Sequence, residues 1–209
     1  MIGRPSRAVI TAELALLGLG LIGAAALAPA ADWDLPLFGV LLVLAVTSDI
    51  RAVELTAHRV KASGSFLSIV AAAALLGAAP AVLVGIATIL GSWAHSRYAR
   101  ADLLINLVTY VWFPLATGAG FHLAVAELGL TGSDASYYLL VFGLFVSALA
   151  IDFTAIAAYT SYVEGSSLIA RIRRSFMPIM PSELASALLT VGITFAYVQI
   201  GLPAVGLFG

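Results

Sequence analysis

The chain has 209 residues, 62% of them hydrophobic and 10% charged, with a net charge of −1 and a mean hydropathy of +1.07. An ordinary soluble domain carries about a quarter charged residues, so this composition predicts a protein that lives in a lipid bilayer. The few basic residues form no cluster able to neutralise many phosphates, which excludes nucleic acid as a partner. The absence of cysteine excludes disulfides, thiolate catalysis, iron–sulfur ligation and the usual structural zinc sites.

A membrane span needs roughly 20 apolar residues in succession. The first such run covers 8–31, after a short basic lead with Arg4 and Arg7 and before the acidic turn Asp32-Trp33-Asp34. Ala26-Leu27-Ala28 has the small-residue spacing of a signal-peptide cleavage site. The run exceeds the roughly 7–15 residues of a signal peptide's apolar core, however, and contains Glu13, so it reads as a retained span. The second run covers 35–53 and leads into a polar connection with Asp49, Arg51, Glu54, His58, Arg59 and Lys61.

From Ala62 to Ser96 only His95 is ionisable, and 35 helical residues would extend about 52 Å, too far for one crossing. Gly77-Ala78-Ala79-Pro80 is the expected turn, because glycine closes a helix and proline is tolerated in the first turn of the next. The result is a short helical hairpin, 65–78 and 80–95, which either crosses twice or re-enters from one side. Three further spans are expected at 103–126, with Pro114 and Gly118-Ala119-Gly120 available to kink it, at 136–163, and at 181–200. The apolar run 201–209 is expected to lead into a further element.

All ten lysines and arginines fall in the lead or in alternate connections, while the opposite connections carry Asp32, Asp34, Glu127 and Asp134. Basic residues near span ends are retained in the cytoplasm, so the amino terminus is placed inside and the end of the last span outside. The connector from Glu164 to Pro178, with Arg171, Arg173 and Arg174, is expected along the inner surface, where its arginines meet anionic headgroups.

No nucleophile elbow, phosphate-binding loop, dinucleotide fingerprint or metal-binding His-Glu-x-x-His occurs, so no enzyme, metal or cofactor is expected. Candidate residues are instead the polar ones inside the spans, since a charge at the bilayer centre costs about 2.5–3.5 kcal/mol on insertion scales. Asp152 is the deepest; with Asn106, Glu13 and Glu183 it defines a candidate inner polar site, to which Asp102 is adjacent. Asp152 is expected between helices, bonded to a polar group from another segment. The alternative for Glu13, Glu183 and Asp102 is a place at helix starts, where the dipole favours a carboxylate. Trp112, Phe121, His122 and Tyr137 form a candidate outer pocket for a small apolar or aromatic ligand, the alternative being an interfacial aromatic belt. Ala71 to Ala74, Gly85 and Gly91 permit close helix packing.

Ser65-Phe66-Leu67-Ser68, Ala74-Leu75-Leu76-Gly77-Ala78-Ala79-Pro80-Ala81 and Leu104-Ile105-Asn106 resemble a multi-span input module that precedes HD-GYP phosphodiesterase or GGDEF cyclase domains in bacterial signalling proteins. The resemblance runs from the second span to Gly201-Leu202-Pro203. It implies a membrane sensor without catalytic activity of its own, working through a cytoplasmic signalling domain or a membrane partner; no HD or GGDEF motif is present in this chain. Leu75 to Gly85 is also similar to the substrate-binding membrane subunits of energy-coupling-factor transporters, which implies a small-molecule ligand and a partner ATPase, although those subunits usually have six spans. A structural subunit of a membrane complex is the third alternative. The expectation is thus an all-α polytopic bundle of six or seven spans in the bacterial cytoplasmic membrane, with the bilayer as its first partner.

Overall fold

A computed structural model describes residues 6–51, 53–55, 60–62 and 64–205. Arg4, His58, Arg59, Ser63 and the tail 206–209 lie outside the described residues. The chain forms helices α1 (Arg7–Leu27), α2 (Leu35–Ile50), α3 (Ser65–Leu75), α4 (Ala78–Ser96), α5 (Arg100–Leu128), α6 (Ala135–Glu164), α7 (Leu168–Arg171), α8 (Met180–Ile200) and α9 (Leu202–Val205). Among the described residues five helical stretches are long and apolar enough to cross a membrane: Arg7–Ala30, Ala78–Ser96, Arg100–Leu128, Ala135–Glu164 and Leu168–Ile200. α2 and α3 are apolar but shorter. The polar connection after α2 adds a small antiparallel ribbon, β1 (Val53–Leu55) and β2 (Val60–Ala62), with Glu54 opposite Lys61.

Local chemistry sets the helix ends. Asp34 caps α2 by accepting from the Leu37 amide at 3.0 Å, with Pro36 in the first turn. Gly129 and Gly165 close α5 and α6 in the left-handed conformation that glycine adopts without strain. Gly77 (φ 100°) makes the expected turn between α3 and α4, and Pro80 lies in the first turn of α4.

α3 is the centre of the bundle. It packs against α2, α4, α5, α6 and α8, and nine of its eleven residues are buried. Above Ser65, Phe66 stacks on Phe113 (4.8 Å) and meets Phe145 edge-on (5.1 Å), filling the middle of the core. Apolar side chains cover much of the outside: Leu19 and Ile22 on α1, Leu139 on α6, and Leu188 and Ile200 on α8 are all exposed. A stripe of this kind on every peripheral helix suits contact with lipid.

Four contacts place the connections. The Asp32 amide donates to the Leu76 carbonyl (2.9 Å), joining the α1–α2 connection to the α3–α4 turn. Tyr197 near the end of α8 donates to Asp34 (2.7 Å), Gln199 donates to the Gly132 carbonyl in the α5–α6 connection (3.3 Å), and His122 of α5 reaches Ala73 (2.9 Å). All these connections therefore lie at one end, which the α3–α4 turn reaches. Asp32, Asp34, Glu127 and Asp134 gather at this end; Arg7, Arg51, Arg97, Arg100, Arg171, Arg173 and Arg174 gather at the other.

α5 continues through Pro114 as one helix. Proline lacks an N–H and leaves the carbonyl four residues earlier, that of Tyr110, without its helical donor. Gly85 of α4 fills the gap: a Cβ there would stand 2.5 Å from the Tyr110 carbonyl oxygen, so the two backbones meet through a Cα–H of glycine. Beyond Glu164 the chain follows α7, a π-helical turn Ile172–Phe176 and a 3-10 turn Met177–Ile179. Phe176 folds under the bundle and stacks on Phe153 (4.0 Å), while Ile169 and Met177 face outward.

Gly85→Val is expected to destabilise the protein by about 3 kcal/mol, because the obstacle is backbone and cannot move aside. Gly39→Ala, whose Cβ meets nothing within 4 Å, serves as the control; detergent-solubilised melting curves read both. The Tyr197 hydroxyl, followed by the Leu37 amide, holds the Asp34 carboxyl below the usual carboxylate range. The folded value is depressed, so this stabilisation is full above the unfolded aspartate value near pH 4 and is lost as pH falls through the folded one. Tyr197→Phe is expected to melt about 2–4 °C lower at neutral pH, and melting in acid should show that difference shrinking below about pH 4.

Candidate functional site

α2 buries Leu37, Leu41, Ala45 and Asp49, one residue per turn on a single stripe. The fourth is an acid, and it faces the start of α3, where the Ser65 hydroxyl donates to Asp49 Oδ1 at 3.2 Å. Asp49 is 6% exposed and Ser65 is fully enclosed. The Tyr110 phenol of α5 reaches Ser65 from the other side, and Tyr110 also lies within electrostatic range of Asp49 and Asp152. Its ring packs edge-on against Phe113 (5.2 Å), which anchors the polar layer beneath the aromatic core. Asp152 of α6 in turn interacts electrostatically with Glu183 of α8. Five helices thus contribute Asp49, Ser65, Tyr110, Asp152 and Glu183 to one polar layer near the basic end.

The expected inner site is brought together only in part. Asp152 and Glu183 belong to the layer. Asp152 Oδ1 is enclosed and has no hydrogen-bond partner, so the bonded neighbour expected for it is replaced by an acid across the helix interface. Two acids within electrostatic range of one another away from water disfavour both being charged at once. Asn106 pairs with Tyr98 in the α4–α5 connection. Glu13 lies elsewhere, on the α1 face turned to α5, near Tyr159 of α6. The sequence places Asp49 in the polar connection after the second span and Ser65 at the start of the third. The signal for Asp49 was its place, four residues beyond Ala45 on an otherwise apolar stripe.

The outer candidates also divide. Phe121, His122 and Tyr137 form an edge-to-face chain, 5.3 Å and 5.5 Å between ring centres, which continues through Tyr138 to Phe195 of α8. Trp112 is not part of it; its indole N–H donates to the Leu16 carbonyl of α1 at 3.0 Å. His122 Nε2–H donates to the Ala73 carbonyl, one of the last four of α3, which have no partner within their own helix. This histidine caps the central helix. A groove of about 400 Å³ beside Phe121 opens between α5 and α6, lined by small residues such as Ala116, Gly120 and Gly143.

Ser65→Ala leaves the buried Asp49 oxygen without its donor and is expected to cost about 1–3 kcal/mol. A double-mutant cycle with Asp49→Leu, followed by denaturation in detergent, should return a coupling of about 1 kcal/mol. Additive effects would separate the two residues. Compared with protein-family models, with curated proteins and with solved structures, the chain matches none.

Proposed function

We propose that this chain is a membrane-embedded sensory module of the bacterial cytoplasmic membrane, crossing it seven times with its amino terminus in the cytoplasm. The observation that carries the reading is the mounting of the β-ribbon. β1 begins four residues after Asp49 and β2 ends three residues before Ser65, so the buried Asp49–Ser65 bond joins the two stems of an element at the basic end. A change in the polar layer reaches that ribbon through two short tethers, without any need for the bundle to open. Segregation of the arginines to the ribbon's end supports its cytoplasmic placement. The resemblance to input modules of cyclic-dinucleotide enzymes supports an output delivered to a cytoplasmic domain or a partner, with the layer as the point where protonation, a cation or a ligand is registered.

Native mass spectrometry of the full chain, purified gently from its own membrane, tests this. The expected result is a copurifying cyclic-dinucleotide cyclase or phosphodiesterase whose turnover changes several-fold with Asp49→Asn at unchanged membrane abundance. ATPase subunits together with a bound metabolite would overturn it in favour of uptake.

A further inference from the structure

The connector between α6 and α8 has two faces. Ile172, Phe176 and Ile179 turn toward α6, where Phe176 and Ile179 pack with Ala157, and Ile172 and Phe153 lie against them. The stack of Phe176 on Phe153 (4.0 Å) fixes the rotation of the segment about its own axis. Ile169, Arg173 and Met177, each four residues after the last, turn outward. Ile169 is 78% and Met177 61% exposed, and Arg173 and its neighbour Arg174 are exposed as well. A four-residue step is about one turn through α7 and the π-helical turn that follows it, so a basic side chain stands between two apolar ones on one outer stripe.

The charge on this stripe is uncompensated. Of the three arginines expected at the headgroups, Arg171 is paired with Glu164. Among the described residues Arg173 and Arg174 have no ion-pair partner, and between Glu164 and Glu183 the sequence holds no other acid. α8 alone, Met180–Ile200, has 21 residues, enough for a crossing of about 30 Å, so the connector begins where the hydrocarbon ends. Free phosphate would satisfy the two guanidinium groups and leave Ile169 and Met177 in water. A phospholipid satisfies both, offering phosphate to the arginines and acyl chains to the apolar side chains.

We propose that the outer face of this connector binds an anionic phospholipid, its headgroup phosphate on Arg173 and Arg174 and its acyl chains beside Ile169 and Met177. Two unpaired arginines select an anionic headgroup over a zwitterionic one, whose own cation neutralises the phosphate and repels them. The inward stack gives the site its shape, since Phe176 lies between the arginines and Met177 in sequence and its anchoring keeps both on the exposed side. Arg171 stays with Glu164 and takes no part. The assignment needs only a bilayer at the basic end and holds whatever signal the polar layer carries.

The test is native mass spectrometry of the full chain in detergent micelles, titrated with dioleoyl phosphatidylglycerol and, separately, with dioleoyl phosphatidylcholine. One phosphatidylglycerol is expected to be retained at a concentration at least about ten-fold below that for phosphatidylcholine, since each arginine at an anionic surface is worth about five-fold. Arg173→Gln combined with Arg174→Gln should reduce that preference to about two-fold or less. Arg51→Gln combined with Arg100→Gln removes the same charge from exposed positions at the same end and should leave it intact. Millimolar inorganic phosphate should fail to displace the lipid. The comparison of the two lipids on the unaltered protein decides the matter even where a variant does not fold. Equal retention of the two lipids, an equal loss of preference in the Arg51 and Arg100 variant, or displacement by inorganic phosphate would overturn the proposal.

Discussion

A helix leaves backbone groups unpaired at both ends, and in this protein the central helix finishes inside the bundle. α3 has eleven residues; Leu76 and Gly77 after it are buried, whereas Gly64 before it is exposed. The enclosed end therefore draws polar groups inward. At its start Ser65 is held between Asp49 and Tyr110; at its finish the Ala73 carbonyl takes the His122 N–H and the Leu76 carbonyl takes the Asp32 amide. The aromatic cluster thus caps one end of α3, while at the other end the polar layer ties its first side chain to α2 and α5.

Close packing around α3 depends on small residues at particular places. Ala71 to Ala74 let α2, α4, α5 and α8 approach it, and all four are essentially inaccessible. Pro114 and Gly85 act as a unit: the proline releases a carbonyl, and the glycine brings a Cα–H to it. With no hydrophobic drive between helices in lipid, such backbone contacts and dispersion take a larger share of the stability than in water.

Helix positions were legible because length and apolarity suffice to locate them. Every expected apolar run is helical with ends within three or four residues, five of the helices being long enough to cross a membrane, and the turn at Gly77 is where glycine and proline place it. The short ribbon was not legible; three-residue strands in a charged connection leave no periodic signal. The site was legible in its composition but not in its grouping. Asp152 and Glu183 interact electrostatically between α6 and α8, whereas Glu13 and Trp112 belong to α1 and the α1–α5 contact. Apolar periodicity says which face of a helix is buried only when the polar residues lie on the opposite face, and here both faces of α1 are apolar. Rotation about the helix axis was therefore undetermined, and rotation decides which acids meet.

That same ambiguity explains why the two sets of acids have different physical characters. Asp49 and Asp152 sit where several helices converge, so their neighbours include hydroxyls that can bond or a second acid that can share charge. Glu13 sits on a peripheral helix that packs chiefly on α5 and α4, with Tyr159 of α6 in electrostatic range and no hydrogen-bond partner at either oxygen. A carboxylate in the first setting can be stabilised by the fold alone. In the second setting the fold supplies enclosure without donors, so the side chains around the group do not offset the cost of burying it.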